Sequence, residues 1–91
     1  MNFEEREALY ARAIGKWGQG AQILKAIEEL NELGAVLARD LNGRAGLVEI
    51  ITELADVEIM LEQLSIIYHV DAEINAEKQR KLERLKERMG K

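Results

Sequence analysis

Two acidic stretches carry residues of the right type and spacing for chemistry. Glu28-Glu29-Leu30-Asn31-Glu32 sets Glu29 and Glu32 three residues apart, and Glu53-Leu54-Ala55-Asp56 does the same with Glu53 and Asp56. On a helix, residues three apart share a face. Two such helices packed together would bring four carboxylates to one place. Charges gathered in this way repel unless a cation joins them or their pKa values rise. Carboxylate oxygens are hard ligands, and the chain has no cysteine and a single histidine, His69. The expected ion is therefore Mg²⁺, with Mn²⁺ as the alternative, in preference to Zn²⁺. Acidic residues three apart are also common on solvated helices, so one pair alone says little. The signal here is that both pairs touch apolar stripes.

Those stripes belong to the two helices that must position the carboxylates. Ile23, Ile27, Leu30, Leu33, Leu37 and Leu41 recur at helical spacing and predict a helix over about 20–41, stopped by Asn42-Gly43 with Gly46 close behind. Glu29 and Glu32 lie at the edge of this stripe. Ile50, Leu54, Val57, Leu61, Leu64 and Tyr68 predict another helix over about 47–68. Glu53 falls inside that second stripe and Asp56 on its flank. A carboxylate on a core-facing stripe is costly unless it is paired or bound to metal. Glu58 and Glu62 point elsewhere and read as ordinary solvated charges.

Two further helices flank this pair. Asn2 and Glu5 have the spacing of a reciprocal cap, and Phe3, Tyr10 and Ile14 fall on one side, so a first helix is expected over about 3–14. Gly15, Gly18 and Gly20 break the pattern, and Lys16-Trp17-Gly18-Gln19 reads as a loop. His69-Val70-Asp71 reads as a short break, with Asp71 capping a fourth helix over about 72–89. Only Ile74, Leu82, Leu85 and Met89 give that helix an apolar side, so it is weakly amphipathic and leans on a partner subunit.

Composition agrees with an all-α class: 47% hydrophobic and 33% charged residues, with no proline to interrupt helices. The 91 residues suit one domain, 1–91. A chain this short buries only about 60–65% of its unfolded surface, and no disulfide is available to reinforce it. Oligomerisation is the remaining source of burial. The absence of cysteine fits the cytoplasm, and no stretch has the length and apolarity of a signal peptide or a membrane span. Residues 78–91 carry seven Lys or Arg against two Glu, a segment of +5 that leaves −9 for the rest of a chain whose net charge is −4. With so acidic a body, the basic end is read as a solvated helix face, and no nucleic-acid polymer is expected as a partner.

At the acidic stretches the sequence resembles the MazG-like all-alpha nucleoside triphosphate pyrophosphohydrolases, especially short phage-type members. The family pattern is E-E-x-x-E followed after a gap by E-x-x-D. Here Glu28-Glu29-Leu30-Asn31-Glu32 is followed, twenty residues later, by Glu53-Leu54-Ala55-Asp56. Lys16-Trp17-Gly18 and Gln22 before the first motif, Ala55-Asp56-Val57-Glu58-Ile59-Met60-Leu61 around the second, and His69-Val70-Asp71 with Lys78 beyond it also resemble the family. The likeness covers about residues 16–88. Where many relatives carry Asn shortly after the basic residue of the last helix, Leu82 stands near that place.

The resemblance implies a four-helix MazG-like bundle completed as a homodimer or homotetramer. It implies Mg²⁺-dependent hydrolysis of an NTP or dNTP to the monophosphate and pyrophosphate. Glu29, Glu32, Glu53 and Asp56 match the metal ligands, with Glu28 behind them. Glu29 or Glu32 would take the proton from the attacking water. Lys78 matches a residue that contacts phosphate, with Lys81 and Arg84 as further candidates. Trp17 and Gln22 match the base pocket. Each has a plainer reading: Trp17 as a seal between helices, Gln22 as a surface residue, Lys78 as a solvated charge, Met60 as core and His69 as a helix end. Two other functions stay open, phosphoribosyl-ATP pyrophosphohydrolase and a non-catalytic helical interaction module.

Overall fold

The computed structural model describes residues 1–90, and among these the chain is all helix and turn: α1 Phe3–Trp17, α2 Gln19–Leu41, α3 Leu47–Tyr68 and α4 Asp71–Met89. No described helix is long and apolar enough to cross a membrane. The helix ends follow from local chemistry. Asn2 accepts from the Glu5 amide at 2.8 Å while Glu5 accepts from the Asn2 amide at 3.3 Å, the reciprocal cap expected from their spacing. Replacing Asn2 with Ala should lower stability by ~1 kcal/mol, and a denaturant melt is the check.

α1 does not stop at Ile14. Lys16 and Trp17 are helical, and only Gly18 separates α1 from α2. Gly15 and Gly20 are absorbed into helices because neither needs an unusual backbone; Gly18 does, at φ 91°. Its amide donates to the Ile14 carbonyl at 2.8 Å and its carbonyl accepts from Gln22 at 3.2 Å, so one residue closes one helix and opens the next. α2 ends as expected at Asn42-Gly43. Gly43 at φ 72° donates to Asp40 and Arg44 to Arg39, a Schellman closure. α3 ends in the same way on His69, which adopts the left-handed conformation at φ 55° without being glycine. Val70 occupies the cap position of α4, and Asp71 is already in its first turn, accepting from the Ser65 hydroxyl at 3.4 Å.

α2 and α3 form the centre of the molecule. They run antiparallel: Arg39 meets Glu49 at 3.4 Å near the connecting turn, and Glu29 meets Glu53 and Asp56 further along. α1 lies across their far end. Arg6 pairs with Glu62 at 3.3 Å, so Glu62 is half-buried and not a free surface charge. Tyr10 is buried beside them, its phenol held above the ordinary pKa first by burial and then by the Glu62 carboxylate. α4 touches only α3 and buries none of its residues. The radius of gyration, 16.0 Å, exceeds the ~12 Å of a compact chain of this length.

The buried face of α2 is not the apolar stripe read from the sequence. It is Gln22, Ala26, Glu29 and Val36, whereas Ile27, Leu30, Leu37 and Leu41 are exposed. α3 buries Val57 of its expected stripe together with Met60, Gln63 and Ile67, and exposes Leu54, Leu61 and Tyr68. The chain closes on the faces carrying the acids and leaves four of the six stripe residues of α2 and three of the six of α3 exposed.

Candidate metal centre

Glu29 from α2 and Glu53 and Asp56 from α3 converge, each offering a carboxylate oxygen within 4.8 Å of the others. Helical spacing puts Glu53 and Asp56 on one face of α3, and antiparallel packing sets Glu29 against them. Glu29 is only 6% exposed, and Glu53 and Asp56 are half-buried. One Glu29 oxygen accepts from the Lys25 ammonium at 3.2 Å. Its other oxygen, and one oxygen of Glu53, are buried with no hydrogen-bond partner. A buried carboxylate oxygen left unpaired costs free energy, and a divalent cation would satisfy both. Their mutual separations, all within 4.8 Å, are short enough for the three carboxylates to share one ion. The donors are all carboxylate oxygen, which suits Mg²⁺ or Mn²⁺.

Charge in the cluster is only partly compensated. Burial first, and then the charges of Glu32, Glu29 and Asp56, hold the Glu53 carboxyl above the ordinary carboxylate range. Among the described residues, Lys25 is the cation paired with the cluster. Its ammonium, which also lies 3.9 Å from Glu28, is held above its ordinary range by the hydrogen bond and charge of Glu29.

The sign of the resulting pH dependence follows. The folded protein keeps a proton on Glu53 that the unfolded chain releases near pH 4.5, so this contribution to stability is full below that pH. It is lost as pH rises through the raised value. Metal-free protein should therefore lose more thermal stability than Glu53→Gln as pH climbs from about 4.5. Mg²⁺ at about one hundred times its Kd should return ~2.7 kcal/mol at neutral pH, and EDTA should remove it. Parallel pH profiles for the two proteins would show that Glu53 is not strained by its neighbours.

The other expected residues fall in different places. Glu32 is exposed and outside the converging set, yet near enough for its charge to act on Glu53. Glu28 is exposed and faces Lys25. Trp17 is 58% exposed at the end of α1, with the Lys16 ammonium 5.2 Å from its ring centre. Gln22 is buried on α2. Lys78, Lys81 and Arg84 are exposed on α4, which makes no contact with α2. Lys81 and Arg84 line a hollow of about 270 Å³ with Leu85 and Arg88. The larger hollow, about 460 Å³, lies between α1 and the α3–α4 corner, against Phe3, Tyr10 and His69, and contains none of the converging carboxylates.

Two residues, one beside the cluster and one on the buried face of α3, escaped the reading of the sequence. Lys25 stands four residues before Glu29 and three before Glu28, the spacing at which a helical ion pair forms, so it was available. Gln63 is buried with its carbonyl oxygen unpartnered, while its amide nitrogen approaches the Met60 sulfur at 4.0 Å. A polar side chain three residues after Met60 on a buried face was the signal for it. The chain matches no protein-family model, no curated protein and no solved structure.

Proposed function

We propose that the protein is a Mg²⁺-dependent nucleotide pyrophosphohydrolase of the MazG-like all-α type. Its substrate is an NTP or dNTP, its products the monophosphate and pyrophosphate, and its setting the cytoplasm. The observation that carries this reading is the convergence of Glu29, Glu53 and Asp56 with two buried carboxylate oxygens left unpartnered. The E-E-x-x-E and E-x-x-D motifs supply those residues and connect the metal centre to nucleotide chemistry. Association into a homodimer or homotetramer completes the bundle, in keeping with a chain whose fourth helix buries nothing.

In this reaction water attacks the α-phosphorus in line. The bond from that phosphorus to the α–β bridging oxygen breaks, and its electron pair leaves on pyrophosphate. When bound, Mg²⁺ neutralises charge on the phosphates and acidifies the attacking water. Glu29, Glu53 and Asp56 are the residues that would hold it. Glu29 already commits one oxygen to Lys25, whereas Glu32 is exposed beside Glu53. Glu32 is thus the better placed to take the water's proton, and Glu28 steadies Lys25 behind the ligands. Trp17 offers an open ring face for a nucleobase; Gln22 is buried and has none. Lys78, Lys81 and Arg84 would meet the phosphates from the α4 of a neighbouring copy, since α4 does not reach α2 within one chain.

A pyrophosphate-release screen over standard and modified NTPs and dNTPs, with Mg²⁺ and with EDTA, tests this. Metal-dependent release from at least one of them is expected. Turnover of phosphoribosyl-ATP alone would select the related pyrophosphohydrolase. No turnover, together with no effect of Mg²⁺ on thermal stability, would leave a helical interaction module.

A further inference from the structure

The hollow of about 460 Å³ between α1 and the α3–α4 corner lies apart from the metal centre and has a chemistry of its own. Helical spacing builds it. Phe3, Glu7 and Tyr10 recur at intervals of four and three on α1, and Glu62, Ser65, Ile66 and His69 share one side of α3. Asp71, Ala72 and Glu73, at the start of α4, close the corner. The volume falls within the roughly 300–1,000 Å³ of sites that take small molecules.

Charge decides what kind of molecule fits. Four carboxylates line the hollow, from Glu7, Glu62, Asp71 and Glu73, and no Lys or Arg does. Arg6 is occupied with Glu62 at 3.3 Å. Among the described residues, Glu7, Asp71 and Glu73 enter no ion pair. The end of α3 and the start of α4 meet here, and their roughly half charges are opposite in sign and offset each other. The start of α1 is met by Glu4 and Glu5 in its own first turn. The balance is negative, so the hollow repels anions and favours a cation.

The spacing of the acids decides the shape of that cation. They do not gather as ligands of one metal ion. Among the described residues, only Glu29, Glu53 and Asp56 form a group of three with oxygens within 4.8 Å of one another. The acids of the hollow stand instead on three different helices, around the apolar surface of Phe3, Tyr10 and Ile66. Tyr10 is buried, with only 6% of its surface exposed, so its ring is a fixed wall. Several positive charges held apart by methylene groups match this pattern, and a compact ion does not. Aromatic rings add to the attraction, since their faces favour ammonium groups. We propose that this hollow binds a linear aliphatic polyamine. Its ammonium groups meet Glu7 on α1 and Asp71 and Glu73 on α4, while its methylene chain lies over Phe3, Tyr10 and Ile66. The bound molecule bridges α1 and α4, which make no close backbone contact of their own. This site does not depend on the nucleotide reading.

Calorimetric titration of the full chain with spermidine, in EDTA, should show one saturable site with a Kd below about 1 mM. Glu7→Gln combined with Glu73→Gln should weaken binding about tenfold. Both residues are exposed and unpaired, so the double variant keeps its fold. Glu53→Gln, in the metal centre, should leave the affinity unchanged. His69 is the single histidine of the chain and lines the hollow. Its imidazole proton signals should therefore move with spermidine in the wild-type protein and stay in place in the double variant. No saturable binding, equal affinity in the wild type and the double variant, or His69 signals that ignore spermidine overturns the proposal. Loss of binding in Glu53→Gln would put the polyamine on the metal centre and overturn it as well. A protein that binds spermidine in this way but hydrolyses no nucleotide would sink the enzymatic reading and leave this site standing.

Discussion

Glu53→Gln, and separately Asp56→Asn, should lower kcat/KM for the nucleotide substrate by roughly 10³-fold, or ~4 kcal/mol of transition-state stabilisation. Each would remove a proposed ligand from a cluster whose negative charge favours a cation. The same substitutions should raise the stability of the metal-free protein, because each takes one negative charge out of a group where burial and three neighbouring carboxylates already hold Glu53 above its ordinary range. Opposite signs for activity and metal-free stability distinguish a ligand from a residue that merely supports the fold. Pyrophosphate release and a thermal melt in EDTA, made on the same preparations, provide both readings. Wild-type turnover in either variant would remove that residue from the metal centre.

Ala26→Leu should be the most damaging conservative change outside the carboxylates. Ala26 is 1% exposed on the buried face of α2, one turn before Glu29. A leucine there has nowhere to go without driving α2 off its neighbours, at a cost of ~1–3 kcal/mol. The displacement carries Glu29 away from Glu53 and Asp56, so Mg²⁺ affinity should fall about tenfold as well. Leu24→Ala, on a residue 63% exposed two positions earlier, should stay within ~0.5 kcal/mol. Urea titration and calorimetry with Mg²⁺ measure the two effects. A well-folded Ala26→Leu protein with unchanged metal affinity would mean that the position of α2 does not set the site.

These expectations show where the sequence was readable. The helices over 20–41 and 47–68 follow from apolar periodicity, and the stop at Asn42-Gly43 from a residue that tolerates positive φ. The acids of the centre follow from Glu53, whose place inside an apolar stripe had to be explained. Which side of each helix the chain would bury on itself did not follow. Periodicity identifies an apolar face without naming its partner. The chain uses the neighbouring face, where Ala26 is small enough for close packing and Gln22, Glu29 and Gln63 are drawn inside. α1 ran past Ile14 because Gly15 and Gly20 accept ordinary helical angles, and only Gly18 takes an angle that other residues avoid. Lys78, Lys81 and Arg84 could be identified as basic, but whether α4 folds back over α2 depends on contacts that a periodicity cannot supply.

Gly18 has a consequence for how copies can entangle. It makes the corner that folds α1 back, at a φ of 91° that only glycine adopts comfortably. Were it to relax to helical angles, Phe3–Trp17 and Gln19–Leu41 would fuse into a single rod about 58 Å long, and α1 would have to find its docking place on someone else's α3. That is the geometry of domain swapping, to which short joints are prone. Alanine at this corner would be strained in the bend and favoured over glycine by ~1 kcal/mol in the rod. One hydrogen atom in place of a methyl group therefore keeps the Arg6–Glu62 bridge within a single chain.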